Sequence, residues 1–83
     1  MRGERILITG ATGFIGRYLT GRLVEAEAEV WTTGLPDEQP PSGTTCHLPL
    51  DVRDADAVRA VVAEAAPQVV FHLAAVGVTD PGV

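Results

Sequence analysis

The stretch RILITGATGFIG, residues 5–16, limits what this chain can fold into more than any other. An apolar run with β-branched content, residues 5–9, suits a strand buried on both faces, as in a parallel sheet. Glycines follow at positions 10, 13 and 16. Beyond them Ile15, Leu19, Leu23 and Ala26 recur at spacings of four, four and three, which is one face of a helix fraying near Glu27 or Ala28. A glycine at the strand end permits a tight turn, a second lets a ligand approach the backbone, and a third lets the helix pack on the strand. The new helix opens with unpaired N–H groups and the positive end of its dipole. A pyrophosphate fits there without help from a lysine.

That last point matters because the 83-residue chain contains no lysine and carries a net charge of −5. Such a balance argues against nucleic acid as a partner, since phosphate neutralisation needs a basic patch. It also excludes a nucleoside-triphosphate P-loop, whose motif requires lysine. No apolar run approaches the ~18–20 residues that span a bilayer. The single Cys46 precludes an internal disulfide and fits a cytoplasmic setting. The length predicts one domain at most, with a small core.

Residues 29–33, EVWTT, are rich in strand formers, and GLPDEQPPSG, residues 34–43, is a loop. Residues 44–50, TTCHLPL, predict a third strand, which Pro49 requires either to lie at an edge or to end there. Asp54 is positioned to cap a helix whose face is Val58, Val61, Val62 and Ala65, and Pro67 stops it. Residues 68–75, QVVFHLAA, predict a fourth strand, with a near-continuous apolar run that makes His72 an interior residue. The order β-α-β-β-α-β implies an α/β fold: part of a Rossmann fold, with a parallel sheet of about four strands in the order 3-2-1-4 and flanking helices. Cys46 and Trp31 are expected to pack, His47 to lie at the surface or edge, and Arg17 to be solvated. No His, Cys or carboxylate grouping suggests a metal.

TGATGFIG, residues 9–16, resembles the T-G-x-x-G-x-x-G cofactor motif of the extended short-chain dehydrogenase/reductases, the group containing the NAD-dependent epimerases and dehydratases of nucleotide sugars. DVRD, residues 51–54, and HLAA, residues 72–75, are similar to two further motifs of that family, in the same order. The resemblance implies that Gly10, Thr12, Gly13 and Gly16 build the cofactor turn and that the N–H groups of Phe14 and Ile15 meet the pyrophosphate. It further implies that Asp51 accepts from the adenine amino group, that the Val52 N–H donates to the ring, and that Leu73, Ala74 and Ala75 line the path to the nicotinamide ribose. The implied cofactor is NAD or NADP. The acidic position at the end of the second strand, which would bind a ribose 2′-OH, is held by Gly34; Asp37 lies beyond Pro36, and no arginine stands nearby for a 2′-phosphate.

The family's Tyr-x-x-x-Lys pair is not in these residues: the one tyrosine is Tyr18, in the first helix. No catalytic residue is therefore expected within 1–83, which is expected to be the N-terminal portion of an NAD(P)-binding Rossmann domain, inactive alone and lacking the substrate domain. Its function by resemblance is the dinucleotide-binding segment of an epimerase/dehydratase-like oxidoreductase acting on a nucleotide sugar or related carbonyl or hydroxyl compound. The alternative is a non-catalytic, regulatory dinucleotide-binding module. Family members are often dimers, and the bare edge of the fourth strand is expected to be open to self-association.

Overall fold

The computed structural model describes residues 3–73. Its elements are β1 (Arg5–Thr9), α1 (Phe14–Glu25), β2 (Glu29–Gly34), β3 (Cys46–Pro49), α2 (Ala55–Ala65) and β4 (Val69–His72). All strand pairs are parallel, and the sheet order is β3-β2-β1-β4, as the β-α-β-β-α-β pattern predicts. Pro49 closes the edge strand β3, where its missing donor costs nothing.

β1 sits at the centre because it is apolar throughout. Ile6, Leu7 and Ile8 are fully buried. Their side chains alternate between faces. Ile6 and Ile8 join Ala11, Leu23 and Val30 in a cluster on the α1 side. Leu7 joins Leu50, Val61 and Ala65 on the α2 side. The two helices thus cover opposite faces, the outcome expected when crossovers of one hand run in opposite directions across the sheet, β1 to β2 through α1 and β3 to β4 through α2. Arg5 ties the base of the sheet together: its Nε pairs with Glu29 at 2.6 Å, Nη1 donates to the Ala65 carbonyl at 2.9 Å, and the guanidinium lies 5.2 Å from the Trp31 ring.

Several local expectations are corrected. The buried face of α1 is Gly16, Thr20 and Leu23, with Leu19 half-buried, while Ile15 is 52% exposed and Ala26 is exposed. A Cβ on Gly16 would lie 2.5 Å from the Ala11 Cα, so glycine alone lets the helix sit this close to the turn after β1, and with position 16 facing inward Ile15 turns outward. On α2, Val61 and Ala65 are buried but Val62 is 38% exposed. β3 is shorter than residues 44–50, although the Thr45 N–H to Val30 carbonyl and Leu50 N–H to Gly34 carbonyl bonds extend the pairing beyond both ends. β4 alternates, with Val70 and His72 exposed and Val69 and Phe71 half-buried, so His72 is not an interior residue. Only one face of this outer strand packs on the α1-side cluster. Among the described residues no helix is long and apolar enough to cross a membrane.

Candidate functional site

Three strands deliver their C-terminal ends to one place. Gly10 follows β1, Gly34 ends β2, and Leu50 follows β3. Together with Leu35, Asp51, Val52 and Arg53 they line a cleft of about 400 Å³. Its position, outside the carboxyl ends of parallel strands, is where open α/β sheets hold ligands.

The turn above β1 is built by glycines with separate tasks. Gly10 adopts φ +67°, a left-handed conformation that a side chain would strain. Gly16 is pressed on Ala11. Gly13 is the N-cap of α1, is exposed, and would carry a Cβ into open space. No side chain caps this end, and its first turn holds no acidic residue. Phe14 and Ile15 stand exposed around it, Phe14 at 88%. The amino end of α2 offers the contrast within one molecule. There Asp54 accepts from the N–H groups of Asp56 and Ala57, both at 3.1 Å, as its sequence position predicts.

On the far wall, Asp51 is held by Arg53. The Arg53 backbone N–H donates to Oδ1 at 2.9 Å, Nε donates to Oδ1 at 3.0 Å, and Nη2 donates to Oδ2 at 2.7 Å. These bonds, first those of the guanidinium, hold the Asp51 carboxyl down at about 2. The carboxylate is therefore ionised and aimed by its neighbour, with lone-pair capacity left for a further donor.

The loop after β2 supplies residues that sequence analysis did not assign to the site. Glu38 folds back over the end of β2, where Oε1 accepts from the Thr12 hydroxyl at 2.6 Å and from the Leu35 N–H at 2.8 Å. These bonds, the Thr12 one foremost, hold its carboxyl below the ordinary value. Arg17 is not simply solvated: Nε donates to the Thr12 carbonyl at 2.9 Å and Nη2 donates to the Gln39 carbonyl, pinning the loop to the glycine turn. The signal in the sequence was Gly34 at a position normally acidic, followed four residues later by a carboxylate.

Of the residues implied by resemblance, Gly10, Asp51 and Val52 line the cleft. Thr12, Gly13, Phe14 and Ile15 form the adjoining turn and helix start, and Gly16 serves packing. Leu73 extends the ladder through its N–H to the Thr9 carbonyl at 3.0 Å and packs on the α1-side core. Ala74 and Ala75 lie outside the described residues. His72 accompanies Leu73 at this end, its Nδ1 at 2.6 Å from the Thr9 hydroxyl. No grouping of three or more potential metal ligands occurs among the described residues.

Known proteins are similar to this chain in sequence and in fold. The profile of the NAD dependent epimerase/dehydratase family matches residues 6–81. A protein of Streptomyces antibioticus named "Probable dTDP-4,6-dihydroxy-2-methyloxan-3-one 4-ketoreductase" is 41% identical over 76 residues, covering 92% of this chain and 22% of its own length. The CDP-glucose 4,6-dehydratase of Salmonella typhimurium is 35% identical over 83 residues, 89% of this chain and 23% of its own length. Among solved structures, the GalE-like L-threonine dehydrogenase of Cupriavidus necator in its holo form superposes with a TM-score of 0.74 at 30% identity, covering 94% of this chain and 27% of that one. The chain thus spans roughly a quarter of the length of the proteins it matches. With strand order, glycine turn and sequence in agreement, the chain belongs to the NAD dependent epimerase/dehydratase family.

Proposed function

We propose that residues 1–83 form the N-terminal, dinucleotide-binding portion of an NAD(P)-dependent oxidoreductase of the epimerase/dehydratase type, acting on a nucleotide sugar or a related carbonyl or hydroxyl compound. The observation that carries this reading is the uncapped amino end of α1 beside a capped α2. The same chain that satisfies one helix start with Asp54 leaves the other to bare N–H groups behind a glycine. A diphosphate is the ligand that such a start accommodates in a chain without lysine. Gly10, Thr12 and Gly13 would form its approach, the N–H groups of Phe14 and Ile15 would meet it, and Asp51 and Val52 would receive the adenine in the cleft. Leu73, Ala74 and Ala75 would stand toward the nicotinamide ribose.

A bound nicotinamide would supply hydride transfer. The proton-transferring groups would come from outside these residues. Tyr18 is 63% exposed on α1, and its hydroxyl accepts from Arg22 at 3.2 Å, a surface arrangement. The nucleotide-sugar class draws support from the dTDP and CDP-glucose names of the two curated relatives. The test is titration calorimetry on the protein at its full natural length, with NAD(H), NADP(H) and ADP-ribose. At least one dinucleotide should bind, and Gly13→Leu should weaken it by roughly tenfold or more, since the new side chain stands where the diphosphate enters. Only a small drop in melting temperature is expected in that variant: the Cβ meets no atom within 4 Å, and the cost is that of a poorer N-cap residue. Unaltered affinity in Gly13→Leu, or no binding of any of these compounds, overturns the reading.

A further inference from the structure

We propose that Glu38, folded back across the end of β2, reads the adenosine ribose of the bound dinucleotide and sets a preference for NAD(H) over NADP(H). The inference rests on the dinucleotide reading above and adds to it a residue that stands four positions beyond the strand end.

Dinucleotide folds of this kind place a carboxylate at the end of the second strand to accept from a ribose 2′-OH. Here that position is Gly34, and the structure gives the reason no side chain stands there. A Cβ on Gly34 would lie 2.5 Å from Thr12 Cγ2 and 3.1 Å from Glu38 Oε1. The volume that a side chain at 34 would fill is already taken by the paired side chains of Thr12 and Glu38. A carboxylate is therefore present beside Gly34, which lines the cleft, but it arrives from the loop.

Its placement is fixed from several directions. Oε1 accepts from Thr12 and from the Leu35 N–H, and the Glu38 N–H closes a turn to the Leu35 carbonyl at 2.9 Å. Arg17 holds the next carbonyl, that of Gln39. Farther along, Pro41 is buried, and a Cβ on Gly43 would sit 3.3 Å from the Val24 side chain, so the loop lies along α1. Among the described residues the hydrogen bonds to this carboxylate fall on Oε1, leaving Oε2 to accept from a diol.

The same carboxylate disfavours a 2′-phosphate by like-charge repulsion. The two arginines at the site are already engaged. Arg53 is bidentate on Asp51, and Arg17 bridges two backbone carbonyls.

The experiment compares dissociation constants for NAD+ and NADP+ by calorimetry on the full-length protein, with folding followed by circular dichroism. The unaltered protein should favour NAD+ by roughly tenfold or more, the scale of one adjacent like charge. Glu38→Gln, which keeps an acceptor for Thr12 and Leu35 without the charge, should bring the two constants within about threefold. Asp37→Asn, at the exposed neighbour, should leave the ratio unchanged. Glu38→Asp, which keeps the charge on a shorter stem, should weaken NAD+ while still excluding NADP+, and it decides the matter if the Gln variant folds poorly. A wild-type preference for NADP+, a ratio unmoved by Glu38→Gln, or an Asp variant that admits NADP+ overturns the inference while leaving dinucleotide binding intact. Failure of the unaltered protein to bind either compound overturns the underlying reading itself.

Discussion

Gly13 and Gly16 look alike in the sequence and do opposite things in the structure. A Cβ on Gly13 would meet nothing, whereas one on Gly16 would sit 2.5 Å from both the Ala11 Cα and its carbonyl oxygen. Backbone cannot yield as a flexible side chain can, so α1 would have to move off the turn that follows β1. Gly16→Ala should therefore destabilise the fold by about 1–3 kcal/mol, the cost of overpacking a tight core, measured as a lower denaturant midpoint. A midpoint equal to that of the unaltered protein would mean that the turn is looser than described. The motif made the turn at Gly10 and the packing role of Gly16 legible, because strand, turn and helix can be read from residues 5–16 alone. It did not reveal what Glu38 does. Its bond to the Thr12 hydroxyl crosses 26 positions in the chain, and no local pattern encodes a contact of that range.

At the scale of elements, the centre was more legible than the ends. β1 could be read outright from an apolar run, and the start of α2 from Asp54. The end of α2 was marked by Pro67, directly after the cap residue Ala66, but the end of α1 was not, nor was the conformation of either cap. α1 stops at Glu25, with Glu27 at φ +64° closing a Schellman turn through Ala28 N–H to the Leu23 carbonyl at 3.1 Å. α2 is followed by Ala66 at φ +45°. Glycine is the usual signal for such residues, and here glutamate and alanine stand in its place. The outer strands are fastened by a matching pair of bonds. His72 on β4 meets the Thr9 hydroxyl of β1, and His47 on β3 meets that of Thr32 on β2, each at its register partner. Burial holds the His47 imidazole below its ordinary value, with Arg17 acting in the same sense and Glu38 opposing. The unfolded chain therefore takes up this proton first as pH falls. The stability His47 contributes is complete above its unfolded value of about 6.5 and declines as pH drops through that value toward the lower folded one. Denaturant midpoints should thus fall between about pH 7 and 5, and His47→Asn should flatten that part of the profile. An identical slope in the variant would assign the decline to other groups.

Across the whole molecule, protection from solvent is graded outward from β1. Its residues 6–8 are fully buried, with a strand bonded on either side, whereas β3 and β4 are half-buried or exposed along their lengths. Local opening should follow that gradient, so the amides of β1 should exchange slowest and those of the outer strands fastest. A ligand in the cleft would alter the gradient unevenly. The lining residues come from the ends of β1, β2 and β3, with β4 contributing none among those described. A dinucleotide seated there would join the glycine turn to the end of β2 and to Asp51–Arg53, the segment that leads from the edge strand into α2. Anything that binds only the folded state stabilises it by mass action, about 2.7 kcal/mol at a hundredfold excess over Kd. Hydrogen exchange on the full-length protein, with and without NAD+, would show where that stabilisation falls. The expected pattern is added protection at residues 10–17, 34–38, 50–54 and 73–75, with β3 gaining more than β4. A uniform gain, or one centred on β4, would place the ligand somewhere other than this cleft, whatever the measured affinity.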